Sequence, residues 1–107
     1  MNELIGKAKD IETIIDYQKG SVVSKALISK EQGTVTLFAF DKGEGLSEHT
    51  APFDAMVYIV TGSAEVTIDG SLNTVNKGEL IIMPANKPHS LQARENFKML
   101  LIMIKQQ

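Results

Sequence analysis

The chain has no cysteine, only two histidines, no run of basic residues and no apolar stretch long enough to span a bilayer. Each absence excludes a class of function. Without cysteine there is no disulfide framework, no thiol nucleophile, no CxxC redox pair and no thiolate metal site. A formal net charge of −2 with no basic run argues against a nucleic-acid surface built on phosphate contacts. The longest apolar run, MLLIMI at 99–104, is far too short for a transmembrane helix. The opening segment MNELIGKAKD has charges on both sides of a short apolar patch and no hydrophobic h-region, so it is not expected to act as a secretory signal. A cytoplasmic protein that engages neither nucleic acid nor membrane is the expectation.

What remains is the profile of one soluble globular domain. The 107 residues are 43% apolar and 22% charged, enough for one core without disulfide or metal support. The sequence contains no repeat and no low-complexity segment. DIETIIDYQ at 10–18 is the one candidate helix, with Asp10 as its cap and Ile11, Ile14 and Ile15 as a short apolar stripe. It is too short to stand alone.

From Ser21 onward the chain reads as strands and turns. The candidate strands are 22–29, 34–40, 56–60, 64–68, 72–75, 79–83, 89–93 and 97–104. AEVTI alternates cleanly, with Ala64, Val66 and Ile68 inward and Glu65 and Thr67 outward. Asp69–Gly70 is a hairpin signal. The strand at 34–40 is apolar on both faces: Thr36, Phe38 and Phe40 oppose Val35, Leu37 and Ala39. Strand 97–104 shares this property. A barrel interior buries only one face, so a homodimer is expected to cover the surplus. Many short strands and no βαβ rhythm predict an all-β sandwich or closed barrel.

The chemistry-bearing residues are His49 and His89, each close to a glycine- or proline-rich corner. In LIIMPANKPHSLQA the strand stops at Pro84, turns, and reopens on His89, in phase with Leu91 and Ala93. A titratable ring on an apolar face is a candidate for a site. Both rings are expected to line one cavity. Met56 and Met83 flank that presumed cavity on strands, and Tyr58 has a hydroxyl to offer a ligand. Methionines at such positions are also ordinary core filler.

Two ordered sets of residues carry a family resemblance. Gly43, His49 and Gly62 form the first; Gly78, Pro84 and His89 form the second. In order and spacing they resemble the two motifs of the cupin superfamily, over about residues 34–104. The resemblance implies an all-β cupin, a double-stranded β-helix (jelly-roll-like) barrel. A single domain over 1–107 would carry a short N-terminal helix or arm at 1–20 and the barrel at 34–104. In metal-binding cupins three histidines and a glutamate hold the ion. Here the second histidine of the first motif falls on Ala51 and the glutamate on Ala55, leaving only His49 and His89 as ligand positions. The glycine of the second motif is Asn86, which tolerates a left-handed turn conformation.

Three readings of the histidines follow: a degenerate metal site that binds Fe, Mn, Ni or Zn weakly, acid–base groups in a dry pocket, or satisfied core residues. The function expected is a small-molecule-binding barrel with a degenerate metal site. The alternative is a metal-dependent or metal-free cupin enzyme of dioxygenase, isomerase or epimerase type, working through His49 and His89.

Overall fold

The structure is a computed structural model and describes residues 3–105. The first two residues of the expected 1–20 arm lie outside the described residues.

Among the described residues nine strands follow a single 3-10 turn, Ile11–Thr13: β1 (Val22–Lys30), β2 (Gly33–Phe40), β3 (Gly45–His49), β4 (Phe53–Thr61), β5 (Ser63–Ile68), β6 (Ser71–Asn76), β7 (Leu80–Met83), β8 (His89–Gln92) and β9 (Phe97–Lys105). They form two antiparallel sheets, ordered β1-β2-β9-β4-β7 and β3-β8-β5-β6. The connections are local chemistry. Asp69 and Gly70 both adopt positive φ, the geometry that turns β5 into β6 in two residues. The Pro84–Pro88 corner is held from two sides: the Asn86 N–H donates to the Ala51 carbonyl at 2.8 Å and the Ala85 N–H to Asp54 Oδ1 at 3.0 Å. Asn86 takes φ 66°, the left-handed conformation expected of it.

Period-two alternation decides what goes inside. From the five-stranded sheet, Phe40, Val57, Ile59, Phe97 and Met99 are fully buried between the sheets, facing Ala64, Val66 and Leu91 of the other. The opposite parity of the same strands, Leu37, Ala39 and Val60, lies on the outer face. Those residues are nevertheless buried, because the segment before β1 folds across them. Ile15 is buried there, and Ile11, Ile14 and Tyr17 pack beside it.

The expected helix over 10–18 is therefore only one 3-10 turn. Asp10 caps it, accepting from the Glu12 N–H at 3.0 Å. The isoleucines are used to cover a flat sheet, a task that does not require the chain to keep helical spacing after Thr13. A strand not among those expected, β3, ends at His49, and β4 begins at Phe53, three residues before the expected start at 56; Pro52 lies between the two strands.

The covering segment is anchored by an unusual group. Lys98 is 6% exposed. Its Nζ donates to the Glu12 carbonyl at 2.6 Å and lies 4.9 Å from the centre of the Tyr17 ring. Lys98→Met should keep the packing of the stem but strand the Glu12 carbonyl and lose the cation–π contact. A loss of about 1.5–3 kcal/mol in urea denaturation is expected, the range for a hydrogen bond to a charged group. Proteolysis before Ser21 should accelerate with it. An unchanged cleavage rate would show that the apolar contacts alone hold the segment.

Candidate functional site

His49 ends β3 and His89 begins β8. The two are paired residues in the same ladder, side by side rather than opposite each other across the barrel. Their ring centres are 4.3 Å apart at an interplanar angle of 68°. His89 is buried, while His49 remains exposed on its other side.

The hydrogen bonds of the rings define their tautomers. His49 Nδ1 lies 2.7 Å from the Ser47 carbonyl oxygen, and His89 Nδ1 lies 3.2 Å from the Lys87 carbonyl oxygen. A carbonyl can only accept, so both Nδ1 atoms carry hydrogen. In the neutral rings both Nε2 atoms are then bare acceptors, and they face each other at 3.1 Å. Two lone pairs so placed form a clamp for a positive particle, either a proton on one ring or a cation shared by both. Burial pushes the His89 imidazole below its ordinary range; its backbone bond to Lys87 opposes this, and the neighbouring His49 adds to the depression. The buried ring therefore resists taking the proton itself. Fixing Nδ1–H on a backbone carbonyl to aim Nε2 outward is the arrangement found around metal-ligating histidines.

The pair opens on a small cavity between the sheets of about 50 Å³. Leu46, Leu91 and Leu101 form its apolar wall, with Met83, Met99 and Met103 beside them. Ala51 and Ala55 also line it, so the positions that the resemblance assigns to a histidine and a glutamate are aimed at the right place but hold only methyl groups. Among the described residues no cluster of three or more His, Cys, Asp or Glu side chains could hold a metal. The donor set of a divalent cupin centre is thus not present.

Of the five pocket residues expected from sequence, His49, His89 and Met83 come together here. Met56 and Tyr58 do not. Ala55, Val57 and Ile59 are the inward parity of β4, which sends Met56 and Tyr58 to the outer face. Met56 lines a surface groove with Ile82, Ile102 and Ile104, and Tyr58 packs beneath the N-terminal segment. Asp54 is occupied in holding the Pro84 corner. Sequence reading missed Met99 and Met103 as cavity residues. The signal that finds them is their phase with the buried Phe97 along β9.

The comparisons with known proteins agree with the fold. A family model described as the cupin domain matches residues 36–105. No curated protein matches the chain. Among solved structures, a conserved protein of unknown function from Streptococcus pyogenes is 36% identical, with a TM-score of 0.94 over 100% of this chain and 94% of that one. A cupin 2 conserved barrel domain protein from Leptotrichia buccalis is 43% identical, with a TM-score of 0.85. The match covers 88% of this chain but 46% of that protein, so this chain spans about half its length. A cupin superfamily protein from Desulfitobacterium hafniense is 26% identical, with a TM-score of 0.92 over 99% and 97% of the two chains. On the family match, these relatives and the two-sheet barrel with its motif corners in place, the chain belongs to the cupin family.

Proposed function

We propose that this protein is a binding barrel whose site is the His49–His89 pair, taking a single ion or a ligand of very few atoms. The observation that carries the reading is the facing of the two Nε2 atoms at 3.1 Å, each ring oriented by its own backbone carbonyl. The cavity volume supports a very small occupant. About 50 Å³ is far below the roughly 300–1,000 Å³ of pockets that enclose drug-sized organic ligands. Divalent iron, manganese, nickel or zinc is bound weakly, because two imidazoles leave most of the coordination sphere to water. We place this activity in the cytoplasm.

The test is direct. In metal-free wild type, long-range nitrogen–proton NMR should show Nδ1–H tautomers for both rings. Zn(II) should bind weakly and perturb both Nε2 resonances, and His49→Ala or His89→Ala should abolish that binding. Zn(II) affinity that survives both substitutions, or an Nε2–H tautomer on both rings, would overturn the reading.

We also propose that the protein self-associates through the outer face of the five-stranded sheet. The N-terminal segment covers only part of that face. Ile82, Met56, Ile102 and Val35 stand in one continuous cross-strand row beyond it, which runs on to Ile28 beside Leu4 and Ile5. Ile82 is 58% exposed and Ile104, one row further, 62%. A flat apolar row of this kind suits an identical row on a second copy, since a two-fold interface brings the same patch from both subunits. Light scattering at micromolar concentration should give twice the chain mass, and Ile82→Lys with Ile102→Lys should give the chain mass while staying folded. A wild-type monomer at that concentration would count against it.

A further inference from the structure

Three features of the cavity wall bear on which ion the histidine pair takes. The first is register. In the β7–β4–β9 ladder, Ala55 is paired with Met83 on one side and Met103 on the other, and all three line the cavity. Directly paired residues share a face, with Cβ atoms about 4.5–5.5 Å apart. The position from which a carboxylate would approach the histidines therefore holds a methyl group, and the long side chains flanking it are two thioethers.

The second feature is charge. Among the described residues no carboxylate lines the cavity, and the rest of the wall is leucine, alanine and methionine. The penalty for bringing an ion out of water into such surroundings grows with the square of its charge. A divalent ion with no anionic ligand faces about four times the penalty of a monovalent one.

The third is spacing. Two nitrogens bound at about 2.0–2.1 Å to one ion at a tetrahedral angle lie about 3.3–3.4 Å apart, whereas linear coordination sets them about 4 Å apart. The observed 3.1 Å is a few tenths short of the tetrahedral edge and well short of the linear span. The pair is thus preset to give two adjacent corners of a tetrahedron, leaving two for other donors.

We propose that this site selects a soft monovalent cation, Cu(I), held by His49 Nε2, His89 Nε2 and the thioether sulfurs of Met83 and Met103. The proposal rests on the reading of the Nε2 pair as the binding group and adds the identity of the ion and its remaining ligands. Thioethers favour Cu(I), imidazole binds copper as well as zinc, and a neutral ligand set leaves only one net charge in the apolar wall. The cavity, about 50 Å³, has room for an ion and little else. Met99 lies further along the same wall, paired with Ile59 rather than with Ala55, and is given no role.

Metal-free protein should be titrated anaerobically with Cu(I) against a chromophoric Cu(I) chelator, and separately with Zn(II) against a chromophoric zinc chelator. Cu(I) should bind once per chain and at least about tenfold more tightly than Zn(II). Met83→Leu and Met103→Leu conserve volume and should remain folded. Each should weaken Cu(I) by about 10- to 100-fold, no less than the usual loss on removing an outer-shell partner, and leave Zn(II) within about twofold. In wild type with labelled methionine methyls, Cu(I) should shift Met83 and Met103 and leave the outward-facing Met56 in place. Zn(II) bound through the histidines with Cu(I) no tighter, leucine variants that hold Cu(I) as wild type does, or unmoved Met83 and Met103 methyls would overturn the thioether assignment while the histidine reading stands. Failure of both ions to bind wild type would overturn both.

Discussion

Phe97→Ala is expected to remove about 3–5 kcal/mol of folding stability, the usual range for deleting a buried aromatic ring. Phe97 is fully buried and stacks on Phe40, its cross-strand partner, with ring centres 4.4 Å apart and planes within 10°. The site can collapse little. On one face is the Phe40 ring, itself fully buried; Gly62 at φ +78° packs its backbone against the Cα and Cβ of Phe97, which pins the strand from which the ring projects. With the strand held and the opposing ring enclosed, removing the Phe97 ring leaves a void that its surroundings fill poorly. Domains of this size are stable by about 5–15 kcal/mol in total, so the variant should be marginal at 25 °C and molten by 37 °C if the wild type lies near the lower end. Urea denaturation at constant m-value measures the loss. Phe97→Leu, which keeps most of the apolar volume, should lose less. If Phe97→Ala lost below about 2 kcal/mol, the two sheets would have to close over the gap, and the core would be softer than its packing indicates.

The other large effect concerns the two alanines at the cavity. Ala51→His with Ala55→Glu should turn a site poor in ligands into one that binds Fe, Mn, Ni or Zn tightly. Both methyl groups already line the cavity. Ala55 is almost wholly buried, so enlarging it in the metal-free state should cost stability, about 1–3 kcal/mol for overpacking. Divalent ions bind the folded state and should return it, by about 2.7 kcal/mol at a hundredfold excess over the dissociation constant. In chelator the variant should melt below wild type; with nickel or manganese it should rise well above its own metal-free value, while wild type moves little. The glutamate would enter between Met83 and Met103, so the same change should shift preference from soft to borderline ions. A large divalent shift in wild type would reveal a ligand not identified in this site, and the metal-poor reading would be wrong.

Much of the barrel was legible because alternation and turn chemistry agree at β5–β6 and at the Pro84 corner, where Asn86 does the work of a glycine. The misplacements on β4 have one physical origin. On β4 both parities are apolar, Ala55, Val57 and Ile59 against Met56, Tyr58 and Val60, so alternation carried no information about which faced inward. The outward parity is apolar at Tyr58 and Val60 because the N-terminal segment packs there, a contact remote in sequence, and at Met56 because it lies in the outer groove with Ile82 and Ile102. Met56 and Tyr58 were misplaced for this reason. β3 was overlooked because GLSEH pairs with β8 through an irregular register between Leu46 and His49, which breaks the period-two signal. The thioethers beside Ala55 depend on the pairing of β4 with β9 and β7, which no local pattern encodes. His89 was legible as a buried ring, since it keeps phase with Leu91 and Ala93.

The placement of β9 has a consequence for how the barrel is made. This strand, Phe97–Lys105, lies between β2 and β4 at the centre of the five-stranded sheet, and its β2 partners are more than half the chain away. Until it is delivered, β2 and β4 present open edges with unpaired N–H and C=O groups, and half the core has no floor. The four-stranded sheet depends on that floor to bury Val66 and Leu91. Folding should therefore be a single late event, limited by closing a loop across most of the sequence and slow in the manner of β-rich topologies, on the order of milliseconds to seconds. On the ribosome the barrel cannot close while residues 97–105 are still unmade. Nascent chains should wait with β2 and β4 exposed, the interval in which a chaperone would matter most.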